Sequence, residues 1–322
     1  MRVGELERAL AERGLIATDA TPVPFGSAGR PWYVSVVLGG AGWLASMFAF
    51  LFVLLLFEPN TPPEAAVAGV ILLGAGFGLY AADRDNAFFE QLALALSLAG
   101  QFALLYAVGD LTNSATPVAA VATVLSAAVV IAMPNAFAKT LSAFFACVAW
   151  SLTVRLGVWG EDWFDRSRQA VAFVPALIGW LAIWIPVAFA VHVLIRREAE
   201  WMATSARRVA RPALTGLLLA LAVGTWSSEP FAAFSIRAPG TEAATNWLAV
   251  WPFLGIAAAL YAALCAFRLR HYPMIGVAIA GALLHVMQFY YLLGVSLVVK
   301  SYVMLVVGVG LLFAARRMRL RA

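Results

Sequence analysis

Charge is what this chain has least of. Only 12% of its 322 residues are Asp, Glu, Lys or Arg, while 63% are hydrophobic; the charged share is about half that of an ordinary soluble domain. Hiding so much apolar surface from water would need long polar stretches between core segments, and none is present. Lysine is scarcer still. Lys139 and Lys300 are the only lysines among 22 basic residues, which, with the abundant alanine, suggests GC-rich bacterial coding.

Cysteine and histidine are nearly missing too. Cys147 and Cys265 both lie inside apolar runs, without CxxC spacing and without a framework for disulfides, so they read as small packing residues. His192, His271 and His285 are the only histidines, and no HExxH, GxSxG or metal-ligand cluster occurs. No enzymatic activity, catalytic residue, cofactor or metal is therefore expected. "GAGFG" at 74–78 has the wrong spacing for a nucleotide-binding turn; within an apolar run, Gly74 and Gly78 are expected to form a close helix-packing face. The basic excess (22 against 17 acids) reads as membrane topology rather than as a nucleic-acid partner, because the basic residues gather beside apolar runs.

What is present is a series of apolar runs of roughly 20 residues, each able to cross a hydrocarbon core of about 30 Å. They fall near 34–57, 63–82, 88–108, 116–133, 136–155, 170–195, 212–228, 246–267, 273–293 and 296–315. Backbone groups in lipid must be satisfied within the segment, so each run is read as helical. The fold class expected is an all-α polytopic integral membrane bundle of about ten transmembrane helices. Pro63, Pro117, Pro212, Pro252 and Pro273 are read as marking helix starts. Val34–Phe57 is too long, and too far from the first residue, to read as a cleaved signal.

Ten spans place both termini on one side. With the N-terminus cytoplasmic, the inside segments hold 17 of the basic residues, and the outside ones hold five: Arg155, Arg166, Arg168, Arg237 and Lys300. This asymmetry is the positive-inside pattern and points to a multi-pass protein of a bacterial inner membrane. Residues 1–31 read as a cytoplasmic amphipathic helix (Val3, Leu6 and Leu10 on one face) and a linker; 32–316 form the bundle, and 317–322 a basic cytoplasmic tail. "GVWGEDWFDRSRQA" and "SSEPFAAFSIRAPGTEAATN" are the larger outside loops.

One internal repeat is visible. "LGAGFGLYAADR" at 73–84 and "LGIAAALYAALC" at 254–265 share LG, four residues, then LYAA, and "QFALLYAVG" at 101–109 matches "QFYYLLG" at 288–294 in the next run. The copies lie an even number of spans apart, so the repeat is parallel.

No carboxylate falls at a bilayer midplane, which weighs against ion-coupled transport. Amides and one imidazole remain. Gly281, His285 and Gln288 share a helix face, as do Glu90, Ser97 and Gln101. Unsatisfied in lipid, such groups are costly, so both faces are expected to point into the bundle, where hydrogen bonds that fix packing are the plain reading and a solute pathway the sharper one. Lys300 lies about a turn inside the last run; it either snorkels or pairs with Asp110 or Glu58. Gln101, His285, Gln288 and Lys300 form the candidate intramembrane polar site.

"PWYVSVVLGGAGWLASMF" at 31–48 and "FYYLLGVSLVVKSYVMLVVGVGLL" at 289–312 resemble the opening and closing signatures of a bacterial membrane family, domain of unknown function 4401. The resemblance runs through nearly the whole chain. It implies a possible partner, a second membrane protein bearing a GDYXXLXY motif, and supplies no activity and no catalytic residue. The expected function is a non-enzymatic membrane component acting with such a partner in the lipid bilayer. The alternative is a transporter or channel for a small solute near Gln101, His285 and Gln288.

Overall fold

The computed structural model describes residues 32–57, 61–82, 87–160, 173–228 and 251–292, with isolated positions between 298 and 316. Among the described residues, all regular structure is helical: α1 (Trp32–Phe57), α2 (Pro62–Ala82), α3 (Ala87–Thr112), α4 (Ala115–Ala132), α5 (Ala136–Trp159), α6 (Phe173–Arg196), the short α7 (Glu198–Met202), α8 (Arg207–Val223), a 3-10 turn (Gly224–Ser228), α9 (Pro252–Arg268) and α10 (Tyr272–Leu292). Seven stretches are long and apolar enough to cross a membrane: α2 to α6, α8 with its 3-10 extension, and α10; shorter apolar stretches run over Gly40–Val53 within α1 and over α9. The expected N-terminal helix, the two outside loops, and the expected tenth span apart from its isolated positions lie outside the described residues.

Local chemistry sets several ends. The Glu64 carboxylate accepts from the Thr61 backbone N–H at 3.1 Å, half of a capping box that starts α2. Asn135 Oδ1 accepts from the Ala138 N–H at 2.8 Å and caps α5. His271, expected only as a loop residue, caps α10 by accepting from the Met274 N–H at 3.3 Å.

Pro212 departs from expectation. It does not start its helix, because α8 begins at Arg207 and contains it. A proline there has no N–H for the carbonyl four residues back, that of Arg208, and Lys139 Nζ from α5 donates to this oxygen at 3.0 Å instead. Thr140 Oγ1 beside it donates to the Pro212 carbonyl at 3.2 Å. These two bonds fasten α5 to α8.

The helices pack around two centres. α3 is flanked by α1, α2 and α4, and α8 by α5, α6, α9 and α10; α4 packs on α5 and joins the two groups. Trp43 Nε1 donates to Gln91 Oε1 at 3.1 Å between α1 and α3. Tyr80, Ala93, Leu94, Val129, Met133 and Ala138 form the core of the first group. The larger core of the second includes Trp184, Trp201, Leu218, Leu221 and Trp251.

Gly74 and Gly78 do not form the expected packing face. Both are exposed, with open space where a Cβ would stand; Gly69 and Gly100 instead bring α2 and α3 together, a Cβ on Gly100 falling 2.6 Å from the Gly69 carbonyl oxygen. Gly69 belongs to the stripe with Leu72, Gly76 and Tyr80 that α2 buries, roughly opposite Gly74. The sequence repeat is not kept in the packing either. Gly74 is open, whereas its counterpart Gly255 is pressed against a side chain of α10, so the two hairpins bury different faces of the matched segment.

Candidate intramembrane polar site

The 3-10 turn at the end of α8 has the sequence Gly-Thr-Trp-Ser-Ser. Ser227 and Ser228 donate back to the carbonyls of Gly224 (2.7 Å) and Thr225 (2.8 Å), bonds from i to i−3 that suit the tighter turn. The remaining polar groups of the turn face the neighbouring helices.

His285 of α10 meets this turn. Its exposure is 1%, and both ring nitrogens are engaged: Nε2 lies 2.9 Å from Thr225 Oγ1, and Nδ1 accepts from Trp226 Nε1 at 2.9 Å. An indole N–H only donates, so Nδ1 carries no proton, and the ring is neutral with its proton on Nε2, directed at the threonine hydroxyl. Gln288 lies one turn on, its amide 3.3 Å from the same Nδ1. Because Nδ1 is an acceptor, the group facing it is assigned as the amide NH2, by exchanging the amide O and N. Trp226 stands edge-on to the imidazole with centroids 5.6 Å apart. Opposite the ring is Gly255 of α9, and any Cβ there would collide with the imidazole.

Two more helices reach the same turn. Trp184 Nε1 of α6 donates to Ser228 Oγ at 2.6 Å, and Arg155 Nη1 of α5 donates to the Ser227 carbonyl. One five-residue turn is thus tied to α5, α6 and α10. The ring nitrogens are occupied, and the face toward α9 lies against Gly255. The chemistry of the cluster is adhesion between helices.

The expected site is divided by the fold. His285 is buried and reaches polar groups of the neighbouring 3-10 turn, as expected; Gln288 is half-buried, and its amide meets His285 of its own helix. Gln101 is buried, but Nε2 donates to the carbonyl (3.2 Å) and hydroxyl (3.4 Å) of Ser97 in its own helix, and the principal neighbours of α3 are not those of α10. Gln101 is therefore not part of a site with His285. Glu90, on the Gln101 face, accepts from Asn135 Nδ2. Lys300, and with it the proposed pairing to Asp110 or Glu58, lies outside the described residues.

Thr225, Trp226, Trp184 and Ser228 were not anticipated as partners. Thr225 and Trp226 fall inside the expected run at 212–228, Ser227 and Ser228 open the expected outside loop, and no sequence signal marks Trp184 as a partner. Arg155, counted among the outside residues, is 4% exposed within α5. Lys139, counted among the inside ones, is likewise 4% exposed within that helix. Among the described residues no group of His, Cys, Asp and Glu could hold a metal ion.

No curated protein and no solved structure matches the chain. A family model does, over residues 31–234 and 232–321. Together these segments take in the helices from α1 to α10 and the cluster around His285, and the chain belongs to the family described as a domain of unknown function, DUF4401.

Proposed function

We propose that the protein is a non-enzymatic multi-pass component of a bacterial inner membrane that acts through a membrane partner. The observation that carries this reading is how the polar cluster around His285 is engaged: His285 has both ring nitrogens bonded and its face against Gly255. A translocation route needs polar groups with room beside them, and here those groups are spent on joining helices. The partner suggested by the family resemblance is a membrane protein with a GDYXXLXY motif. Large apolar side chains exposed along α1, such as Phe48, Phe52 and Leu55, give such a partner apolar surface within the membrane.

The test is co-purification of the tagged chain in mild detergent with mass spectrometry of everything retained. The expected result is a second polytopic protein in near-stoichiometric amount, retained equally by His285→Leu/Gln288→Leu. Recovery of the chain without any protein partner, or solute flux in proteoliposomes abolished by that double variant, would overturn the reading.

A further inference from the structure

A cleft opens on the side of the bundle between four helices. Val130 of α4, Ala146 and Cys147 of α5, Pro186 and Ala190 of α6, and Leu217 of α8 line it, and it encloses about 470 Å³, within the ordinary range of ligand sites. Ala143 and Ala146 of α5 form its floor, and among the described residues the cleft is open at its front. Ile131, which also lines the cleft, is 72% exposed. The space opens between helices apolar enough to cross a membrane.

The faces of the cleft run on into cations at one end. On α6, Arg197 follows Pro186 and Ala190 at i+11 and i+7, so it continues their face just past the last turn. On α5, Lys139 precedes Ala143 and Ala146, two residues of the floor, by four and seven positions. Arg207, Arg208 and Arg211 open α8 at the same end. The four arginines are exposed. Lys139 is buried, and its ammonium has the Arg208 carbonyl as acceptor and no carboxylate among the described residues. Glu198 and Glu200 of α7 lie between α6 and α8, and no ion pair joins them to these cations among the described residues. With Arg196 in the last turn of α6, six cations stand at this end against Glu198 and Glu200 of α7 and Glu90, which Asn135 holds at the start of α5.

We propose that the cleft and its basic end are a binding site for an anionic phospholipid, one acyl chain lying in the cleft and the phosphate meeting the exposed Arg197 and Arg208. Charge complementarity selects the occupant. Any lipid chain suits the cleft, but a zwitterionic headgroup brings an ammonium to a basic surface, whereas an anionic one brings net negative charge. Basic pockets between spans on the cytoplasmic side collect anionic headgroups, and this is the end that the charge asymmetry reads as cytoplasmic.

The experiment reconstitutes the full chain in phosphatidylcholine vesicles and titrates spin-labelled phosphatidylglycerol against spin-labelled phosphatidylcholine, reading the motionally restricted fraction. The wild type should retain phosphatidylglycerol at least about fivefold better. Arg197→Gln and Arg208→Gln should each reduce that preference about fivefold, the worth of one basic residue near an anionic surface, while phosphatidylcholine is unchanged. Ala146→Phe or Ala190→Phe should fill the cleft and remove the excess retention of phosphatidylglycerol, leaving the restricted shell common to both lipids. Arg197 is exposed, so its variant keeps the test open if a buried substitution fails to fold, as judged by gel filtration. Equal retention of the two lipids by the wild type, unchanged preference in the arginine variants, unchanged preference after filling the cleft, or full displacement by inorganic phosphate would each overturn the proposal.

Discussion

Lys139 sets its ammonium 3.0 Å from the carbonyl oxygen of Arg208, the oxygen that Pro212, having no N–H, leaves unserved within α8. A lysine of one helix thus completes the backbone of another. The arrangement accounts for a proline in a helix interior, which ordinarily costs ~3 kcal/mol or more, and the same bond gives a buried lysine its acceptor.

That relationship predicts a non-additive pair. Lys139→Leu should destabilise the protein by about 1–3 kcal/mol, the cost of a buried acceptor left unmade. Pro212→Ala restores an N–H to Arg208 and should absorb part of that loss, so the double variant should unfold later than Lys139→Leu alone. Denaturant-titrated unfolding in detergent reads the difference. Simple additivity of the two substitutions would show that the carbonyl is not what links them.

The imidazole and Gly255 make a second pair. Gly255→Ala should destabilise strongly, since the new methyl meets a ring held by hydrogen bonds on both sides. The same substitution in a His285→Ala background should be far milder. Trp226→Phe, which removes one bond from Nδ1 and keeps the ring packing, should cost ~0.6–2 kcal/mol. Thermal unfolding of the four variants distinguishes these outcomes, and equal cost of Gly255→Ala in both backgrounds would contradict the contact.

Glycines on α2 and α3 should respond by position rather than by motif. Gly100→Ala would drive a methyl against the Gly69 carbonyl, a backbone atom that cannot turn aside. Gly74→Ala and Gly78→Ala meet open space and, with alanine ~1 kcal/mol the better helix former, should be neutral or stabilising in the isolated chain. Melting temperatures in detergent check this, and a destabilising Gly74→Ala would place a neighbour against that face.

Topology is testable independently of the fold. Reporter fusions after Arg84, Arg197, Arg270 and Ala322 should report the cytoplasm, and fusions near Thr61, Asp110, Asp165 and Glu242 the outside. The 17-to-5 division of basic residues motivates this expectation. A C-terminus reporting outside would remove the ten-span arrangement.

Nine of the helices were legible as runs of apolar residues, because a segment that must satisfy its own backbone in lipid advertises itself by composition alone. Within a residue or two the expected starts of α1 to α5 agree with those seen, while α8 begins five residues early, because a proline can sit within a helix when a side chain from elsewhere takes the carbonyl it frees. The shared face of His285 and Gln288, and its inward direction, also followed from helical spacing and the cost of polar groups in hydrocarbon. Their partners did not. Thr225 and Trp226 are about 60 residues away along the chain, and no periodicity within α10 encodes which neighbour meets it. Gln101 shows the limit most clearly: it has the same inward pattern as Gln288, and like Gln288 it bonds a residue of its own helix, yet it packs in the other group. Sequence determined what must be buried in each helix, since that depends on the residue and its spacing. Only the tertiary structure decided which buried groups meet, since that depends on how close two helices approach, and glycines at Gly255 and Gly100, not those at Gly74 and Gly78, set that approach.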